Sequence, residues 1–155
     1  MKIKDGPIIP GVGISNIKLG IGREELLSII GNEYEEENLD PGSIISIENA
    51  KIWIADDGKV DQIGVGKDFH GKYKNIIGIG STMLDVKRYF GDYVNIYCTY
   101  EIKNIDGMCF ELEDVEDYED EWDELTAPIE FIYVYRGHQQ YFKCKSSRSA
   151  FFSIL

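Results

Sequence analysis

The chain predicts an α+β fold: two helix-plus-antiparallel-strand repeats forming one curved sheet with the helices on one face. Three observations carry that expectation. First, Leu19-Gly20-Ile21-Gly22-Arg23-Glu24-Glu25-Leu26-Leu27-Ser28-Ile29-Ile30-Gly31 is echoed sixty residues later by Ile79-Gly80-Ser81-Thr82-Met83-Leu84-Asp85-Val86-Lys87-Arg88-Tyr89-Phe90-Gly91. Second, each copy carries one short apolar stripe at i, i+3, i+4 spacing: Leu26, Ile29 and Ile30, then Val86, Tyr89 and Phe90. Third, alternating apolar segments separated by turn residues follow both copies, as in antiparallel hairpins. The chain is thus expected to be a single domain over residues 1–155. Its repeats lie at about 14–66 and 76–136, with a C-terminal extension at 137–155.

Residues 1–18 contain Pro7, Pro10, Gly11 and Gly13, so an irregular lead-in or short edge strand is expected before Ile14–Leu19. Gly22 is the N-cap position of the first helix, and Glu24 and Glu25 complement the positive end of its dipole. Thr82 is a stronger cap for the second helix, and Asp85 at the third helical position completes a shortened capping box. Gly31 and Gly91 fit the left-handed position that ends a helix. Helices this short are unstable alone in water and must dock on a sheet.

Asn32–Gly42 reads as a polar connection ending in the turn Asp40-Pro41-Gly42. Ile44–Glu48, Lys51–Ala55 and Lys59–Val65 read as three strands, the last two joined by the Asp56–Lys59 hairpin turn. Ile52 and Ile54 face one way, Lys51, Trp53 and Ala55 the other. In the second copy Tyr93–Ile102, Gly107–Glu113 and Pro128–Arg136 are the matching strands. Ile132 and Val134 lie on one face, and Phe131, Tyr133 and Tyr135 form an aromatic row on the other. The tail ends in Tyr141, Phe142, Phe151, Phe152 and Ile154 among basic residues, and the pattern does not decide between an added strand and a loose end.

Charge narrows the function. The net charge is −12, and nine of the twelve residues from Glu113 to Glu124 are carboxylates. Phosphate binding needs a basic surface, so direct binding to nucleic acid is disfavoured and a basic partner favoured. No apolar run is long enough for a membrane span, and the start lacks the pattern of a secretory signal. Cys98, Cys109 and Cys144 are odd in number and lack metal-ligand spacing, so reduced thiols in a cytoplasmic protein are expected.

No catalytic motif emerges. His70 and His138 lack metal spacing and read as surface residues, no Gly-x-Ser-x-Gly elbow is present, and the Gly11-Val-Gly13 and Gly64-Val-Gly66 pairs lack a phosphate-loop continuation. A calcium loop fails for want of the central glycine and spaced ligands. The expectation is no enzyme, no cofactor and no metal.

The acidic segment is the sharpest candidate site. Asp114, Glu116, Asp117, Glu119, Asp120, Glu121 and Asp123 would imitate a nucleic-acid backbone, with Tyr118 and Trp122 as large interface anchors. Solvation of a surface loop explains the carboxylates but not an indole among them. Trp53, Tyr97, Tyr133 and Tyr135 are expected on the open face of the sheet, either as cross-strand packing or as an exposed aromatic patch.

Ile17-Lys18-Leu19-Gly20, an acidic helix start, a closing Ile-Ile-Gly and strand hairpins resemble the tandem-repeat fold of the beta-lactamase inhibitor protein. Outer-membrane-assembly lipoproteins with one copy of the unit, and small bacterial immunity proteins that neutralise toxins delivered between cells, look similar too. The absent lipobox, signal and cysteine pairing favour the immunity proteins. That resemblance implies a cytoplasmic protein that occludes a cognate toxin domain, a basic nuclease above all. The alternative is a non-catalytic adaptor or assembly factor. The binding residues would be the acidic segment with Trp53, Tyr133 and Tyr135.

Overall fold

The computed structural model describes residues 1–113 and 122–137. It is a mixed fold of two helices and mostly antiparallel strands, with no closed barrel. Helices α1 (Arg23–Ile30) and α2 (Met83–Phe90) fall where the two glycine-bounded copies place them. In α2 the Thr82 hydroxyl accepts the Asp85 N–H at 3.2 Å, and the Asp85 carboxylate accepts the Thr82 N–H at 3.0 Å. The capping box therefore satisfies two of the four donors that a helix start leaves unpaired. In α1 Gly22 offers no side-chain cap, and Glu24 and Glu25 occupy the first turn.

Both helices end on glycine, but not in the expected left-handed helical geometry. Gly31 has φ 80° and ψ −155°, and Gly91 has φ 90° and ψ −149°. Each still donates its N–H to the carbonyl four residues back, at Leu27 and Lys87. The chain then leaves at once in an extended direction, through a region of backbone space essentially reserved for glycine.

The N-terminal lead-in is more ordered than its composition predicts. Strands β1 (Ile8–Ile9), β2 (Gly13–Ile14) and β3 (Ile17–Lys18) form a small antiparallel sheet. Ile8, Ile14 and Ile17 are buried in the main core. Asn49 fastens the start of the chain: its Oδ1 accepts the Ile3 N–H at 2.8 Å and its Nδ2 donates to the Ile3 carbonyl at 3.1 Å.

The principal sheet contains β4 (Glu35–Asn38), β5 (Ser43–Ile47), β6 (Ala50–Ile54), β7 (Val60–Val65), β8 (Tyr93–Ile96), β9 (Thr99–Ile102), β10 (Met108–Leu112) and β11 (Ile129–Tyr135). Their order across the sheet is β4-β5-β6-β7-β11-β10-β9-β8, antiparallel throughout. Four strands follow each helix rather than the three expected. The extra one in the first half is β4, whose Glu-Glu-Glu-Asn sequence is exposed throughout and carries no apolar alternation. In the second half Tyr93–Ile102 is not one strand but two, folded back at Tyr97, whose φ is 57°. A non-glycine residue at positive φ is uncommon, so composition gives no warning of this turn.

One large core joins the helices to one face of the sheet. Leu26, Ile30, Met83 and Val86 share it with Ile45, Ile52, Ile63, Phe110, Ile132 and Val134. Each fully buried aliphatic side chain contributes about 1.5–3 kcal/mol relative to exposure. A second, smaller cluster contains Trp53, Cys109, Tyr133 and Tyr135, with Leu39, Ile44 and Phe131 against it. No helix residue belongs to that cluster. The period-two pattern of the strands thus sorts correctly into two faces.

Candidate functional site

Asp114, Glu116, Asp117, Tyr118, Glu119, Asp120 and Glu121 lie outside the described residues, but both ends of their segment are fixed. The Trp122 Nε1–H donates to the Glu113 carbonyl at 3.0 Å, so the two residues that flank the segment are bonded to each other. Trp122 remains 39% exposed. Glu113 is tied in turn through its N–H to the Pro128 carbonyl at 2.8 Å. The Asp123 carboxylate accepts the Leu125 N–H at 2.9 Å, and the Asp123 carbonyl accepts the Ala127 N–H at 2.8 Å. Leu125 meets the start of α2, its carbonyl accepting the Leu84 N–H at 3.1 Å.

Glu124 completes the anchorage. Its Oε2 accepts the Tyr93 hydroxyl at 2.6 Å, joining the acidic segment to β8. Tyr93 and Tyr100 stack edge-to-face with centroids 5.8 Å apart. Burial, then the Glu124 carboxylate, pushes the Tyr93 phenol up to about 12. The same causes in the same order raise Tyr100. Neither tyrosine was legible as part of the site, because a Tyr in a strand pattern signals only a half-buried surface.

Trp53, Tyr133 and Tyr135 do come together on the face away from the helices, but as buried rings, at 4%, 2% and 2% exposure. Of the two expected arrangements, cross-strand packing holds for these three and an exposed patch does not. Tyr97 is 92% exposed and sits on the β8–β9 turn rather than within that cluster. Trp53 and Tyr133 meet edge-on at 6.0 Å. Their close seating depends on two glycines across the ladder: a Cβ on Gly64 would lie 2.7 Å from the Tyr133 ring, and one on Gly66 2.9 Å from the Phe131 ring.

The hydroxyls of this cluster reach carboxylates. Tyr133 donates to Glu111 at 2.9 Å, and Tyr135 donates to Glu101. Burial first, and then Glu101, drives the Tyr135 phenol far above its ordinary range, so it is a hydrogen-bond donor at any physiological pH. Beside Trp53 and Tyr133 lies a cavity of about 340 Å³, also lined by Phe131, Lys51 and Lys67. The Trp53 Nε1 and both amide atoms of Gln62 are buried without a hydrogen-bond partner among the described residues.

His70 is an exposed side chain whose backbone N–H donates to Asp5 Oδ1 at 2.9 Å, while His138 lies outside the described residues. Among the described residues, no group of three or more His, Cys, Asp or Glu side chains is disposed to hold a metal ion. No helix among them is long and apolar enough to cross a membrane. Cys98 departs from the expectation of reduced thiols, being disulfide-bonded, whereas Cys109 is buried in the second cluster, in keeping with it.

No protein-family model matches the chain, and no curated protein matches it. The fold is similar to that in the crystal structure of the uncharacterized protein YfeY from Escherichia coli, with a TM-score of 0.53. The likeness covers 86% of this chain and 99% of that one at 11% identity. At that identity it concerns the fold alone.

Proposed function

We propose that this chain is a non-catalytic immunity protein that binds a basic toxin domain, such as a nuclease, and occludes its active cleft. The observation that carries the reading is the anchored base of the acidic segment. Trp122 bonds Glu113 across the loop, and Glu124 bonds Tyr93 on the sheet. Nine carboxylates in twelve residues are thereby offered from a fixed footing rather than from a free tail. Preorganisation of that kind lowers the entropy lost on docking.

In this reading the sheet is a pair of related units, a helix with β4–β7 and a helix with β8–β11, curved as one surface. The palindromic strand order around β7 and β11 supports it. Charge complementarity steers encounter and sets specificity, while the exposed side of Trp122 and Tyr118 supply desolvated contact. Trp53, Tyr133 and Tyr135 brace the sheet from within. The protein acts in the cytoplasm, beside the target of an incoming toxin.

The test is co-expression with the toxin domain encoded immediately upstream, then copurification at low and high salt. A stoichiometric complex that weakens with salt and is lost when residues 113–124 are neutralised supports the proposal. Failure to bind, together with failure to protect cells from that toxin, refutes it. One observation favours a second reading, an adaptor or assembly factor of the same fold. The Cys98 disulfide is a feature of oxidising compartments, where an assembly factor of the cell envelope would work.

A further inference from the structure

We infer that the cavity beside Trp53 and Tyr133 is a binding site for a small aromatic carboxylate. This goes beyond the immunity reading and does not rest on it.

The site lies on the face of the principal sheet away from the helices, where two glycines make room for it. In the ladder Gly64 stands between Lys51 on β6 and Tyr133 on β11, so the middle of that row has no side chain. Gly66 follows two residues on, against the Phe131 ring. The volume of about 340 Å³ is of the size that small molecules occupy, roughly 300–1,000 Å³. Trp53, Phe131 and Tyr133 give the cavity aromatic walls, against which a flat ring packs better than a branched aliphatic body.

The polar groups of the lining select the charge. Lys51 and Lys67 both line the cavity and both are exposed. Among the described residues neither ammonium is paired with a carboxylate, in a chain whose net charge is −12. The acid on the lining, Glu48, already accepts the Met1 ammonium at 3.0 Å. Asn49 is committed as well, to the N–H and carbonyl of Ile3. Two unpaired cations beside aromatic walls call for an anion carried on an apolar body.

A carboxylate fits better than a phosphate. Phosphates are held by cradles of unpaired backbone N–H groups, and this floor has none to offer. Gly64 belongs to a strand paired on both sides, and the Gly66 N–H donates to the Asn49 carbonyl at 3.2 Å. The Trp53 Nε1–H, on a ring that lines the cavity, is buried with no acceptor among the described residues. A carboxylate brings acceptors only, and so suits an indole N–H and ammonium groups together.

The probe is naphthoate, with naphthamide as its neutral counterpart, titrated into the full chain and followed by NMR of its N–H groups. Naphthoate is expected to give saturable shifts at the Trp53 indole and at the amides of Gly64, Gly66 and Tyr133. The double variant Lys51→Met, Lys67→Met removes both charges from exposed positions, so the fold is spared. It should weaken naphthoate binding about tenfold and leave naphthamide unchanged. On unaltered protein naphthamide should bind about tenfold more weakly than naphthoate. No saturable shift at millimolar naphthoate, shifts confined to other surfaces, or undiminished binding by the double variant overturns the inference. Tighter binding of naphthyl phosphate than of naphthoate overturns the choice of a carboxylate. Toxin binding is read separately by the co-expression test, so either reading can fail without the other.

Discussion

Gln62 offers a sharp test of the packing on the face away from the helices. It lies on β7 opposite Trp53 on one side and Tyr135 on the other, is 0% exposed, and among the described residues has neither amide atom hydrogen-bonded. A buried polar group without a partner costs about 1–3 kcal/mol. Gln62→Met keeps the unbranched shape and similar volume and removes both groups. The expected effect is stabilisation by ~2 kcal/mol. With a urea dependence of about 2 kcal/mol per molar, the unfolding midpoint should rise by about 1 M with no change in slope. Equilibrium urea denaturation followed by tryptophan fluorescence reads this directly, since Trp53 is the register neighbour. A variant less stable than the parent would refute the reasoning. It would mean that the amide is satisfied in solution, by a trapped water or a ligand, and that the apparent orphan is a binding group.

Three further outcomes follow from contacts already described. Thr82→Ala removes the cap oxygen that accepts the Asp85 N–H and should cost ~1 kcal/mol in thermal or urea unfolding, while Thr82→Ser should restore most of it. Tyr93 titrates at about 12 in the folded chain against an ordinary 10.0, so its contribution is complete below the ordinary value and disappears as pH rises through the folded one. Stability should therefore decline across that alkaline window, and less steeply in Tyr93→Phe; equal slopes would count against the Glu124 contact. Finally, thiol titration of unreduced, denatured protein should find fewer than the three cysteines of the sequence, and three reactive thiols would remove the case for an oxidising compartment.

Both helices, the hairpin at Asp56–Lys59 and the facing of β6, β7, β10 and β11 were legible because each writes a local period into the sequence. Ile132 and Val134 went to one core and Tyr133 and Tyr135 to the other on parity alone. β4 was not legible, since an exposed edge strand of Glu-Glu-Glu-Asn is held by its ladder to β5 and buries nothing. The fold-back at Tyr97 was missed because its turn residues lack the usual Gly or Asn. Parity located Trp53 but could not say whether its face was open, because burial depends on what packs above the sheet. The acidic segment was visible in composition. Its anchorage was not, as the bonds from Trp122 and Glu124 join groups nine and thirty-one residues apart.

Every neighbouring pair in the principal sheet joins strands consecutive in the chain, with one exception: β7 against β11. Ile63 faces Val134 there, across the whole second half of the molecule. Pairs on either side close shorter connections, the longest being 113–128 between β10 and β11, whereas this single seam must wait for the longest closure. The two flanks can therefore assemble separately and zip last along β7 and β11. A chain cut in the connection between β7 and α2 should yield two pieces that find each other through that seam. Cooperativity of the entire sheet would then rest on this seam and on the core that both halves share.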